Sequence, residues 1–341
     1  MRVFVAGASG AIGTRLVSQL ADRGHEVIGT YLRPEHAGAV HAAGATPIKL
    51  DLLDASSVAA AMLEHEPDAI VHEATALTDV KFSPSLDRTF VQTNRLRVEG
   101  TDNLLAAARE ARVDWFVAQS FASLRYARTG GPVKTEDDPL EENIPASARR
   151  SNAAMRHLEE VVTGAGGIAL RYGVFYGGAN DGLVEPVRKR QFPIVGDGGG
   201  VSSFIHLDDA AAATVLALER GMPGVIYNIV DDEPAPVREW LPVLADALGA
   251  KPPRRLPRWL ARIFAGELGV MMGTDVRGAS NAKAKRELGW ELRHPTWRQG
   301  FRAAYADRPM TSGADRGLLG DSELKPEASN GSHTRPRVHQ H

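Results

Sequence analysis

The 341-residue chain contains no cysteine. That excludes a disulfide framework and any zinc site built on thiolates. Its 11 histidines are scattered and never fall in an HExxH spacing, so no metal site is expected. Neither sign of charge is in excess: 40 Lys and Arg stand against 42 Asp and Glu, for a net charge of −2. This leaves no bulk attraction to nucleic acid or to an anionic membrane, and neither is expected as a partner. No window approaches the roughly 18 uninterrupted apolar residues of a membrane span. The stretch VFVAGASG begins directly behind Met1 and Arg2, leaving no room for the charged and apolar segments of a secretory leader. The expectation is a cytoplasmic protein.

What is present is globular in character, with 43% hydrophobic and 24% charged residues. The length suits one large domain or two unequal ones. VFVAG, EVIGTY, TPIKLD, AIVHEA and WFVAQS read as strands. TRLVSQLADRG, SSVAAAMLEH and VEGTDNLLAAAREARV between them read as helices. Strands alternating with helices predict α/β architecture with a parallel sheet built from βαβ units. IALRYGVFYG supplies a sixth strand and its exit. Beyond residue 178 the alternation loosens, and KPPRRLPRWLARIFAGELG reads as a basic segment entering an amphipathic helix. We expect residues 1–177 to form the main α/β domain, with part of 200–232 returning to it, and 178–306 to form mainly a smaller second lobe. The polar stretch 307–341 has the composition of a disordered tail.

GASGAIG follows the first strand and opens the first helix, placing Gly7, Gly10 and Gly13 three residues apart. Such glycines allow a tight turn, close backbone approach to a pyrophosphate, and close helix–strand packing. The amide groups of the loop, through Ser9, Ala11 and Ile12, then face the phosphates at the helix N-terminus. A dinucleotide cofactor is therefore expected. NAD binding calls for an acid about 20 residues onward, to hold the ribose 2′-hydroxyl. None occurs from Val27 to Pro34, and Arg33 stands there instead. A cation suits a 2′-phosphate, so the sequence favours NADP, with NAD possible.

GASGAIG, KLDLLD, AIVHEATA, TNRLRVEGTDNLL, ALRYGVFYG, FIHLDDAA and KAKRELGW occur in the order of the extended short-chain dehydrogenases/reductases. The chain resembles their epimerase/dehydratase branch over about residues 1–300. The resemblance implies a Rossmann-type doubly wound parallel sheet with a smaller C-terminal substrate lobe. It places Asp51 and Leu52 near the adenine and Ala74 and Thr75 along the cofactor. It puts Asn94 on the helix under the site and Ser120 beside the nicotinamide. It also implies a homodimer formed through helices near 95–112 and 150–163.

One departure concerns acid–base chemistry. The family carries Tyr, three residues, Lys, then Glu four further on. In ARRSNAAMRHLEEVV, setting Glu159 on that Glu puts Ser151 at the Tyr position and Met155 at the Lys position. A serine hydroxyl is a far weaker acid than a phenol, and Met carries no charge. No other YxxxK exists, so the chain resembles atypical members that keep the cofactor site without the dyad. Tyr126 and Tyr172, with Ser120, are the candidates for replacing it. Lys134 is a lesser candidate, His157 lies nearly two turns past Ser151, and Tyr176 matches a structural tyrosine of the family.

A second departure concerns the substrate. Ser202 occupies the place of the arginine that grips substrate phosphates in nucleotide-sugar enzymes. Arg188 and Arg190 offer only indirect compensation, and WLARIFAG offers apolar surface to wall a pocket. A less charged small organic substrate is expected. His206, Asp208 and Asp209 read as a loop-ordering motif, with Asp209 as helix N-cap. The main expectation is an NAD(P)-dependent oxidoreductase or epimerase of a small metabolite. The alternatives are a non-catalytic NAD(P)-binding sensor, or a dehydratase or isomerase with recycled cofactor.

Overall fold

A computed structural model describes residues 1–77, 85–178 and 181–305; the expected disordered tail, 307–341, lies outside the described residues. The sequence opens with β1 (Arg2–Ala6), α1 (Gly13–Asp22), β2 (Glu26–Tyr31) and β3 (Thr46–Lys49). Next come α2 (Ala55–His65) and β4 (Ala69–His72). A helical run follows as α3 (Val91–Arg95), a π-helical turn (Leu96–Gly100) and α4 (Thr101–Ala111). Then come β5 (Trp115–Phe121), α5 (Arg149–Gly164), β6 (Ile168–Tyr172), α6 (Leu207–Arg220) and β7 (Ile226–Ile229). Seven strands form one sheet in the order β7-β6-β5-β4-β1-β2-β3, every neighbour parallel. The order reverses beside β1, the place where doubly wound sheets open a crevice at their carboxyl ends.

Side-chain alternation explains the two layers. Val3, Val5, Val71, Val117 and Leu170 face α1 and α6, where Leu16, Leu20, Ala210 and Leu218 complete the core. Phe4, Ala6, Ile70, Phe116 and Ala118 face α2, α4 and α5, packing on Met62, Leu104, Leu158 and Val162. β4 and β6 are buried along their whole length, as parallel strands covered on both faces must be. Asp54 starts α2 by accepting from the amides of Ser56 and Ser57.

The second half adds the longer helices α7 (Val237–Ala247), α8 (Arg258–Thr274) and α9 (Trp297–Tyr305), with short ones at Val184–Arg188 and Ala282–Leu288. Short strand pairs tie them to the first half. Val174–Tyr176 runs parallel to Phe204–His206, and Val133–Lys134 to Gly278–Ala279. A separate core of Tyr176, Phe204, Trp240, Leu241, Trp297 and Phe301 lies here. Met1–Ala306 form one compact unit. In WLARIFAG, Trp259, Ile263 and Phe264 are 66%, 70% and 70% exposed, while Ala261 is buried. Past a break at Gly266, Leu268 and Met271 pack inward, on Leu124, Ile144 and Ala148. Among the described residues, no helix is long and apolar enough to cross a membrane.

Candidate cofactor and reaction site

The GASGAIG turn is shaped by what a side chain would strike. Gly7 has φ +92°, and a Cβ there would lie 2.6 Å from the backbone Cα and N of Ala74. A Cβ on Gly13 would lie 2.2 Å from the Gly7 carbonyl oxygen. These two glycines are therefore required by the fold itself. Gly10 is different. It is exposed, and the nearest atom to a Cβ there is the Gly7 oxygen, at 3.3 Å. Bareness at Gly10 clears the outer surface for a ligand. The Gly7 amide donates to Thr30 Oγ1 of β2 at 2.9 Å, which anchors the turn. Ile12, mostly buried, is the residue before α1 and gives no side-chain cap; no acid occupies the first turn. The Gly10 amide donates back to the Gly7 carbonyl at 3.0 Å and closes the turn, and the exposed loop before α1 forms a cradle that fits a pyrophosphate.

The adenosine side is equally simple. Arg33 is exposed just past β2. Exposed Asp51 accepts from the Leu53 amide at 2.9 Å, while buried Leu52 accepts from Asn103 Nδ2 at 2.9 Å. Ala74 and Thr75 are half-buried where the chain leaves β4. Gly7, Gly10, Arg33, Asp51, Ala74 and Thr75 all follow the carboxyl ends of β1 to β4.

The reaction side is built from side chains. Asn94 on α3 donates to Ser151 Oγ at 3.0 Å, and Ser151 Oγ donates to Asp87 at 2.9 Å. Asp87 also accepts the amides of Arg150 and Ser151, so it caps the start of α5. Ser151 and Met155 are both buried. The Ser120 hydroxyl turns onto Glu159 Oε1 at 2.6 Å. Glu159 also receives a two-pronged contact from Arg171, at 2.9 and 2.8 Å, and another from Arg125. Burial pushes the Glu159 carboxyl up, but bonds to Arg171 and the charges of Arg125 and Arg171 outweigh it and hold it below its usual range.

Both tyrosine candidates are enclosed. Tyr126 is 2% exposed; its hydroxyl donates to Asn228 Oδ1 at 2.6 Å and accepts from Arg171 Nη1 at 3.1 Å. Tyr172 lies on the opposite face of the sheet, in the layer with α6. Its hydroxyl contacts Glu73 Oε1 at 2.8 Å and Thr214 Oγ1 at 2.6 Å. Burial and the Glu73 charge push the Tyr172 phenol well above its ordinary value. Burial also lifts the Glu73 carboxyl to about 8 and lowers the His72 imidazole to about 4. The structure therefore brings Ser120, Tyr126, Asn94 and Ser151 near one layer and sends Tyr172 to the other.

The remaining candidates are tied elsewhere. Lys134 is buried and pairs with Asp138 at 3.0 Å; His157 contacts Asp102 at 2.8 Å. Tyr176 packs edge-on against Phe301. Ser202 is paired into a short strand with Ala235, Arg188 faces Glu185, and Arg190 donates to the Pro252 carbonyl. The reading of Asp209 as N-cap is corrected. His206 Nδ1 accepts the Asp208 amide and caps α6, while fully buried Asp209 accepts the amides of Arg293 and His294 at 2.8 Å. A carboxylate that deep serves a distant loop because two amides there satisfy it. His206, Asp208 and His294 bring ligand-type atoms within 4.8 Å of one another. Within this group His206 Nδ1 caps the helix, and Asp208 Oδ1 pairs with Arg15 at 2.7 Å.

Sequence reasoning missed Arg125, Arg171, Glu73 and Arg97. A signal existed for the first two: the tripeptide LRY occurs at 124–126 and 170–172, and a charge inside apolar IALRY demands a buried partner.

Residues 3–230 match the model of the NAD dependent epimerase/dehydratase family. The chain is 39% identical over 314 residues to a 3-diazoavenalumate denitrifying reductase from a Streptomyces species, covering 88% of this chain and 99% of that protein. It is 30% identical to a 4-hydroxy-2-methyl-3-oxo-4-farnesyl-3,4-dihydroquinoline-1-oxide ketoreductase of Stigmatella aurantiaca, covering 92% and 98%. The structure is similar to a dTDP-glucose 4,6-dehydratase of Streptomyces venezuelae solved with NAD and TYD bound (TM-score 0.69, 26% identity, 89% and 96% covered). The chain therefore belongs to the NAD dependent epimerase/dehydratase family, as an NAD(P)-dependent enzyme for small metabolites of the reductase and epimerase kind.

Proposed function

We propose that the chain is an NADPH-dependent reductase whose substrate accepts hydride without a proton from the protein, and that this acceptor is an aryl diazo compound. A bound dihydronicotinamide supplies the hydride. A ketone accepting hydride becomes an alkoxide and needs an acid within reach. An arenediazonium ion does not: hydride displaces dinitrogen, and the sum ArN2⁺ + H⁻ → ArH + N2 closes with no proton. Alkyl diazonium ions lose nitrogen spontaneously, so an aryl compound is the form that persists to be bound.

The single observation behind this reading is the state of the hydroxyls where an acid belongs. Ser151 stands at the tyrosine position and is bonded to Asp87 and Asn94. Met155 stands at the lysine position. Ser120 is committed to Glu159, Tyr126 to Asn228, and Tyr172 to Glu73 and Thr214. We read Tyr126 and Tyr172 as packing and hydrogen-bonding residues and Ser120 as part of the Glu159 network. The 39%-identical relative, named for reducing a diazo compound with loss of nitrogen, supports the acceptor class. Exposed Arg33 at the end of β2 supports NADPH over NADH.

The test is NADPH oxidation by the purified chain, above the enzyme-free rate, with a diazotised aminobenzoate and with the matched aryl ketone. Oxidation with one N2 released per NADPH, and none with the ketone, is expected. Ketone reduction alone would overturn the reading. Arg33→Ala should weaken NADPH binding about 10-fold, or ~1.4 kcal/mol, and leave NADH unchanged. Equal loss for both would remove the 2′-phosphate assignment.

A further inference from the structure

Arg97 sits in the π-helical turn Leu96–Gly100 and is 6% exposed. It makes no hydrogen bond or ion pair among the described residues, and its Nη1 is fully buried without a partner. Its guanidinium carbon lies 5.9 Å from the centre of the Phe90 ring. The charges in reach are unhelpful. His72, at the head of β4, is held neutral by burial, and Arg125, past β5, is a like charge. Glu159 is already shared by Arg125 and Arg171.

The magnitudes demand an occupant. An uncompensated buried charge costs several kcal/mol. A cation–π contact returns about 0.5–2 kcal/mol. The π-turn is a further unfavourable feature, of the kind that recurs where a helix is bent to serve a site. An anion arriving with the ligand set resolves the deficit.

Its origin follows from position. The phosphate cradle lies at the head of β1, and Arg33 follows β2. Arg97 lies on the other side of that cradle, with His72 of β4 and Arg125 beyond β5. A dinucleotide laid across those strand ends brings its phosphates to β1 and its uncharged or cationic nicotinamide to β4 and β5. No phosphate reaches Arg97, so the anion belongs to the substrate. Two ties fix the helix pair that presents it: Asn94 to Ser151 at 3.0 Å and Asp102 to His157 at 2.8 Å. Arg97 falls between these ties on one helical run, as Met155 does on α5.

We propose that Arg97 is the substrate-docking cation of this site, and that the substrate is an aryl carboxylate held there through its carboxylate. This rests on the reading of the β4–β5 end as the place of a small organic substrate, and not on the diazo chemistry. A planar guanidinium with unused donors suits a carboxylate, and Phe90 beside it suits an aromatic body.

The experiment needs no turnover. Cinnamate and its uncharged methyl ester are titrated against the full chain saturated with NADP⁺, by calorimetry, for wild type, Arg97→Gln and Arg97→Lys. Wild type should bind cinnamate at least about 10-fold more tightly than the ester. Arg97→Gln should abolish that preference, Arg97→Lys should keep part of it, and NADPH affinity should stay within about 3-fold in both. Equal binding of acid and ester by wild type, or no cinnamate binding at millimolar concentration, overturns the proposal even if the Gln variant fails to fold. A preference surviving in folded Arg97→Gln overturns it too, as does a loss of NADPH affinity with the preference intact, which would give Arg97 to the cofactor. Cinnamate binding that depends on Arg97, without diazonium turnover, would sink the reaction proposed above and leave the docking cation standing.

Discussion

The head of β1 and the head of β5 lie two strands apart in one sheet, yet they are built from different materials. At β1 the candidate site is backbone: Gly7 and Gly13 have no room for a side chain, and the helix start at Ile12 carries no side-chain cap. At β5 it is a buried lattice in which Ser120, Arg125, Arg171, Tyr126 and Asn228 surround Glu159 and one another. The turn tolerates little change at Gly7 and Gly13, each set by a backbone contact within 3 Å. The side-chain lattice depends instead on Arg125 and Arg171 staying paired with Glu159. That difference fits the proposal that the chain keeps a cofactor site while Ser151 and Met155 stand in place of an acid and its lysine.

The contrast can be broken at its most expensive point first. Glu159→Leu leaves Arg125 and Arg171 buried without an anion and should cost about 3–5 kcal/mol in denaturant unfolding. A loss below 1 kcal/mol would mean the lattice carries no such charge burden. Gly13→Val presses a side chain into the Gly7 carbonyl and should weaken NADPH binding about 100-fold, or ~2.8 kcal/mol, by fluorescence titration. Retained affinity would show that the cradle does not hold the cofactor.

A third test uses pH and the layer around Tyr172. Glu73 is raised to about 8 by burial, so the folded state holds a proton that the unfolded chain has released above its ordinary 4.5. Stability from this group is complete below about 4.5 and is lost as pH rises toward about 8, with a slope approaching ~1.4 kcal/mol per pH unit. Asp231, raised to about 8, behaves alike, so the difference between wild type and Glu73→Gln isolates the one carboxyl. Thermal unfolding across that range should show a shallower decline for the variant; parallel curves would refute the buried neutral acid. The smallest effect is expected from Tyr126→Phe, which removes one hydroxyl from a satisfied network. Stability should fall by about 1 kcal/mol and turnover should change less than about 3-fold. A loss of 100-fold or more would make Tyr126 the missing acid.

The β1 half was legible because its rules are local. A strand, three glycines and a helix lie in consecutive residues, and the parallel sheet follows from apolar runs separated by helical ones. The β5 half was not, because its partners are far apart in the chain: Ser120 meets Glu159, and Tyr126 meets Asn228 across 102 positions. Tyr172 looked close to the cofactor in sequence, yet strand alternation turned it to the far face. No periodicity in TNRLRVEGTDNLL announces that the neighbours of Arg97 supply no anion. Asp209 followed the usual N-cap pattern, while the cap came from His206 and the carboxylate was drawn to the amides of 293–294.

The central claim is that hydride transfer here runs without a proton from the protein. The most direct measurement is turnover of a diazotised aminobenzoate from about pH 6 to 9, in water and in deuterated water, with NADPH saturating. The account predicts a flat profile and a solvent isotope effect near one. A limb within that range, together with an isotope effect of about two or more, would contradict it and require an ionising acid at the head of β5.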